Sequence, residues 1–179
     1  MPRSTIFLIV LALAAWLPAD VARSPALSSA SPAPEQSPAF EPLAIVVNRS
    51  NPVENISLPE LRKIFLGDRS HWANGRRITL VMRGPGEPER KTILRDVCGM
   101  NEDQLKTHVL RGLFTGEILV SPKILATPGG VRRFLVNVPG AIGYLRLSDV
   151  DDSVKMVRID ELFPGDKGYK LRTQSHGAN

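Results

Sequence analysis

Three loops of small residues lead into helical patterns in this 179-residue chain: at Ser57, at Gly84-Pro85-Gly86 and at Thr127-Pro128-Gly129-Gly130. The first turn of a helix leaves backbone N–H groups without intrahelical partners and carries the positive end of the helix dipole, so each loop suits an oxyanion. Each also serves simply to turn the chain and cap a helix. Arg83 distinguishes the middle loop, because a guanidinium that ends a strand beside a helix start grips two oxygens of a tetrahedral anion. The candidate anion-binding residues are therefore Arg83, Gly84 and Gly86. Glu87 and Glu89 argue the other way: acids in a first turn meet the helix dipole and occupy the field that an anion needs.

Other chemistries find less support. His71 and His108 lie far apart, His176 sits near the C-terminus, and there is no H-x-x-x-H pair or cysteine cluster, so no metal is expected. A Gly-x-Ser-x-Gly elbow is missing, and a Cys98–His108 pair would lack an orienting third group. The expectation is a protein that is not an enzyme and carries no cofactor. Cys98 is the sole cysteine and lies among Ile93, Leu94 and Val97, which reads as a small buried hydrophobe.

The elements that must position these residues alternate in type. Leu43 to Asn48 (LAIVVN) is a short continuous apolar run, suited to a central strand buried on both faces. Ser57 and Glu60 have capping-box spacing, Pro59 is tolerated in a first turn, and Leu58, Leu61, Ile64 and Phe65 recur at helical spacing up to Gly67. After a turn at Asn74-Gly75, Arg77 to Arg83 reads as a strand, and Pro88 opens a helix to about Gly99. Asn101 and Gln104 form a second capping box, feeding an amphipathic helix through Leu105, Val109, Leu110, Leu113 and Phe114 to Gly116. Thr127-Pro128 opens another helix, and Ala141 to Leu147, Val154 to Ile159 and Tyr169 to Arg172 read as strands. Strands alternating with helices predict an α/β sheet covered by helices.

The N-terminus has a different character. Arg3, an apolar run from Ile6 to Trp16, Pro18, and small residues at Ala19 and Ala22 follow the plan of a secretory signal peptide, with cleavage after Ala19 or Ala22. The run falls short of the ~20 residues of a spanning helix, so no transmembrane segment is expected after cleavage. Residues 23–40 repeat Ser, Ala and Pro and read as a disordered tether. This divides the chain into a signal peptide (1–22), a tether (23–40), one α/β domain (41–172) and a polar tail (173–179). The formal net charge of +5 suggests anionic partners. Nucleic acid is not expected, because no aromatic residues interleave with the basic ones as stacking platforms.

The segment Ile64-Phe-Leu-Gly67, then Trp72 and Asn74-Gly75, then Ile78 to Arg83, resembles the second lobe of the periplasmic phosphate-binding proteins of ABC transporters. In that family a helix ends in I-[FY]-L-G, a Trp follows, and a strand ends in the arginine that grips the ligand. LAIVVN resembles the strand that enters the lobe; Leu113-Phe-Thr-Gly116 and Pro139-Gly-Ala-Ile-Gly-Tyr144 resemble two later stretches, the last being its exit. The resemblance runs from Leu43 to about Leu147 and implies a type 2 periplasmic-binding-protein lobe, a central mixed sheet flanked by helices. Phe65 and Trp72 would close the core around the helix end, and Gly140 and Gly143 would let backbones approach closely.

Two departures bear on function. Where the family carries R-S-D-G-S-G-T, this chain reads Arg83-Gly-Pro-Gly-Glu-Pro-Glu89, keeping only Arg83 and Gly86. The family's first lobe has no counterpart before LAIVVN, and without two lobes no hinge closes over a ligand. Two readings follow. One is a periplasmic solute-binding module that holds phosphate or another small oxyanion at Arg83, Gly84 and Gly86, with a membrane permease as partner, and it predicts a concave basic pocket at the carboxyl ends of the strands. The other is a non-catalytic interaction protein that reuses the lobe to bind another periplasmic protein. It predicts that Glu87 and Glu89 fill the anion site and that an apolar or basic patch lies elsewhere.

Overall fold

The computed structural model describes residues 40–175. The signal-peptide segment, the tether up to residue 39 and His176 lie outside the described residues.

Strand β1 (Phe40–Asn48) forms the middle of the sheet, as its continuous apolar sequence demands. Leu43, Ile45 and Val47 enter the larger core, while Ala44 and Val46 enter a second core on the opposite face. That alternation requires cover on both sides, and the helices supply it. Helix α1 (Leu58–Leu66) and helix α2 (Pro88–Ile93), which continues as a π-helical turn over Leu94–Cys98, contribute to the larger core. Helix α4 (Pro128–Asn137) places Val131 and Leu135 in the other. The remaining strands are β2 (Asn55–Ile56), β3 (Thr79–Arg83), β4 (Lys123–Leu125), β5 (Ala141–Arg146), β6 (Val154–Ile159) and β7 (Arg172–Gln174). Their order is β2-β6-β1-β5-β3-β4, with β7 paired to the start of β1. β1 is antiparallel to β5, β6 and β7, whereas β3 runs parallel to both β4 and β5, so the sheet is mixed.

Local signals set the helix ends. Ser57 and Glu60 cap α1 reciprocally, and Gly67 ends it at φ +87°, a conformation that costs other residues a Cβ clash. Asn101 and Gln104 do the same for helix α3 (Glu102–Thr115), each bond 2.9 Å long. Phe65 and Trp72 are buried at the end of α1, and the Trp72 indole donates to the Gly140 carbonyl at 3.0 Å. A Cβ on Gly140 would lie 2.0 Å from the Arg77 carbonyl oxygen, so this crossing of two backbones admits only glycine. Gly143 is less tightly confined, its nearest neighbours standing 3.4 Å from such an atom.

The structure corrects several sequence expectations. Phe40 is the first residue of β1 and not the end of a tether. Of the expected polar tail, Thr173 and Gln174 instead belong to β7, whose pairing with β1 buries Thr173, while residues 176–179 lie outside the described residues. The expected strand at Tyr169 begins three residues later, at Arg172, because a turn from Asp166 to Tyr169 with Gly168 at φ +95° still bends the chain there. β2 and β4 escape sequence reading because two or three residues give too little periodicity.

Candidate functional site

β3 and β5 are parallel neighbours, so their carboxyl ends, Arg83 and Arg146, emerge on the same edge of the sheet. β4 runs parallel to β3 with Leu125 opposite Arg83, and this brings Ala126 and the start of α4 to the same edge. Two of the three small-residue loops, at residues 84–86 and 127–130, therefore converge there.

Arg83 is 6% exposed. Its Nη1 donates to the Ala126 carbonyl and its Nη2 lies 3.0 Å from the Glu87 carboxylate, while Nε is buried with no protein hydrogen-bond partner. Its main-chain N–H donates to the Tyr144 hydroxyl at 3.0 Å, and its carbonyl accepts from Arg90 Nη1 at 2.9 Å. Burial pushes the Tyr144 phenol upward, so it stays protonated, and its ring meets Phe65 at 6.0 Å between centroids. Gly84 is half-buried; Gly86 is exposed at φ +88°, with open space where a side chain would stand. Glu87 precedes α2 at its N-cap position and turns its carboxylate back onto Arg83 instead of capping the helix.

Two further ion pairs complete the arrangement. Arg146 Nε meets Glu89 Oε1 at 2.5 Å with both side chains under 10% exposed. Arg90 forks onto Glu102 at 2.8 and 2.6 Å. Three guanidiniums thus face three carboxylates, Arg83 with Glu87, Arg90 with Glu102 and Arg146 with Glu89, and their formal charges cancel. A cluster without net charge gives no long-range attraction to draw in an anion. The sequence reading missed Arg90, Arg146, Glu102 and Tyr144, although one signal was present: β5 ends its buried run in Tyr-Leu-Arg as β3 ends in Val-Met-Arg.

The other two helix starts are also engaged from within. At α1 the Leu58 N–H donates to Asp160 Oδ1 at 2.9 Å beside the Ser57–Glu60 box, and at α4 the Thr127 hydroxyl accepts from the Gly130 N–H at 3.0 Å. His71 is exposed beside Ser70, while His108 bonds the Leu66 carbonyl at 2.8 Å, so the two serve separate local roles. Among the described residues no group of three His, Cys, Asp or Glu side chains could hold a metal ion, and no helix is long and apolar enough to cross a membrane.

Cys98 is fully buried, and desolvation pushes its thiol up to about 11 from 9.0. Only the thiolate attacks, so at pH 8 the folded protein is expected to react with a disulfide reagent ~100-fold more slowly than the unfolded chain. Absorbance of the released thiol, followed with and without urea, checks this; equal rates would place the thiol at the surface.

Comparison with known proteins gives this geometry its context. A family model described as a PBP superfamily domain matches residues 21–176. The phosphate-binding protein PstS of Bacillus subtilis is 30% identical over 127 residues, covering 68% of this chain and 37% of its own length. A phosphate ABC transporter substrate-binding protein from Clostridium perfringens, solved with bound phosphate, superposes with a TM-score of 0.61 at 22% identity, over 77% of this chain and 57% of that one. An ABC-type phosphate transport receptor from Vibrio cholerae gives 0.61 at 20% identity, over 76% and 55%. The chain therefore spans little more than a third of the curated relative and just over half of these solved structures.

Proposed function

The chain belongs to the PBP superfamily domain family, and we propose that within it this protein is an extracytoplasmic accessory protein that keeps one lobe of the phosphate-binding fold but fills the anion site with its own carboxylates. Its α/β architecture is that of a type 2 periplasmic-binding-protein lobe, a central mixed sheet flanked by helices. The family is one of solute-binding domains rather than enzymes, in keeping with the sequence expectation, and membership supports a location outside the cytoplasm. On this reading the compartment is the periplasm and the partner is another protein of that compartment.

The observation that carries the proposal is the pairing of Arg83 with Glu87. A carboxylate offers a guanidinium two oxygens in much the geometry of a phosphate, and it does so at an effective concentration that free anion cannot match. Glu89 repeats the substitution two residues on by neutralising Arg146. A second reading keeps phosphate, or another small oxyanion, as ligand of Arg83, Gly84 and Gly86, with a membrane permease as partner. It is favoured by the unsatisfied Arg83 Nε and by the 34% exposure of the Glu87 side chain, which leaves that carboxylate free to swing aside.

Calorimetric titration of phosphate into the purified protein separates the two. The accessory reading expects no saturable heat up to ~10 mM phosphate. A dissociation constant tighter than about 1 mM that disappears in Arg83→Ala would establish the second reading in its place.

A further inference from the structure

The sequence marks α3 as amphipathic, yet only Leu105 and Gly112 of that helix are buried. Leu110 is 48% exposed, Leu113 40% and Phe114 90%; beyond the helix, Leu119 is 64%, Val120 58% and Ile124 of β4 44% exposed. Five of these residues share one continuous surface, because Val109, Ser121 and Pro122 line two adjoining concavities, one extending to Leu119 and Val120, the other to Leu110, Leu113 and Ile124; Phe114 adjoins it through Leu110, four residues earlier on the helix. We infer that this face is where a second copy of the chain docks.

Area is the first argument. Scaled to residue areas of about 150–200 Å², the six exposed fractions amount to roughly 600 Å² of apolar surface. That is at the upper end of the ~300–600 Å² found in the largest patches of monomers. It also meets the apolar share of a standard interface, which takes ~800 Å² from each partner and is little more than half apolar.

Shape is the second argument, and it selects a copy over an unrelated partner. A two-fold contact requires a patch complementary to itself, in which a projection on one subunit enters a recess on the other and the reverse contact forms at the same time. Phe114, 90% exposed and one turn along α3 from Leu110 at the groove, is the projection. Beside it lies the recess, a groove of about 270 Å³ whose apolar lining includes Met82, Leu105, Val109, Leu113, Pro122 and Ile124. Its charged residues do not oppose the contact, since Arg90 and Glu102 neutralise one another and only Lys106 remains. Strand addition is not the mode of contact: β4 ends the sheet but is three residues long and carries Lys123, both of which discourage edge pairing.

Sedimentation velocity of the full chain from micromolar to near-millimolar concentration tests the inference. The expected result is a concentration-dependent species of about twice the 19.6 kDa chain mass. Phe114→Asp should weaken its self-association by more than about tenfold, and Ile124→Asp should do likewise. Neither side chain belongs to the buried core, Phe114 being 90% and Ile124 44% exposed, so thermal unfolding should confirm that the variants remain folded. A wild-type protein that stays monomeric throughout, or a dimer that tolerates both substitutions, overturns the proposal. A monomer that captures a different protein through these residues overturns it as well. None of these outcomes affects the anion site, which the phosphate titration judges separately.

Discussion

Glu89→Ala is expected to lower the free energy of unfolding by about 3–5 kcal/mol. The Glu89 and Arg146 side chains are 4% and 8% exposed, and a single contact of 2.5 Å joins them. Glu89 Oε2 and Arg146 Nη2 are both buried with no protein partner, so the ion pair gains little from a surrounding network. Removing the carboxylate therefore leaves a guanidinium that is neither solvated nor neutralised, and that is the costly state. Attraction within the pair does not imply a large net contribution over apolar residues, because both ions were first taken out of water. The double variant Glu89→Leu/Arg146→Met, which fills similar volume without charge, is accordingly expected within about 1 kcal/mol of wild type. Urea unfolding followed through the fluorescence of buried Trp72 measures all three proteins. A loss below about 1 kcal/mol for Glu89→Ala would show that water reaches Arg146 and that the pair does not define a closed site.

The parts of the fold that neighbouring residues control were legible in the sequence. Ser57 with Glu60, Asn101 with Gln104, and the prolines at positions 88 and 128 marked helix starts because capping acts over three or four residues. LAIVVN marked the central strand because a run without alternation has no face for water. The candidate site was only half legible. Arg83 could be singled out from its place at a strand end, but its partner Ala126 is 43 residues away, and Arg146 is 57 residues from Glu89. Pairings of that range depend on strand order, which periodicity does not encode. Glu87 and Glu89 were recognised as competitors for the anion, through the helix dipole or by filling its site; that they act by pairing with Arg83 and Arg146 depends on contacts the sequence does not show. The stripe on α3 illustrates the same limit: spacing establishes that Leu110, Leu113 and Phe114 belong to one apolar face, not what covers it.

If Glu87 stands where an anion once did, Glu87→Ala should bring anion binding back. The substitution frees Arg83 Nη2 while Nη1 keeps the Ala126 carbonyl, so the guanidinium remains aimed at the edge of the sheet. It also converts a neutral cluster into one with a single uncompensated positive charge, flanked by Gly84 and by Gly86 at φ +88°. Stability should fall by about 1–3 kcal/mol, less than for Glu89→Ala, because the Arg83 side chain left behind is only 7% exposed, while the one-third exposure of Glu87 lets water take the vacated place. Phosphate affinity should rise by about 100-fold over wild type, to a dissociation constant near 1 mM, which corresponds to about 2.7 kcal/mol for one charge-assisted contact regained in a partly buried setting. Arg83→Ala added to Glu87→Ala should remove the gain, and raising the salt concentration should weaken it. Calorimetry on the three proteins decides the matter. A Glu87→Ala protein that stays folded yet takes up no phosphate would mean that Arg83 serves only to clamp β3 against the start of α4, and that the resemblance to a phosphate receptor ends with the fold.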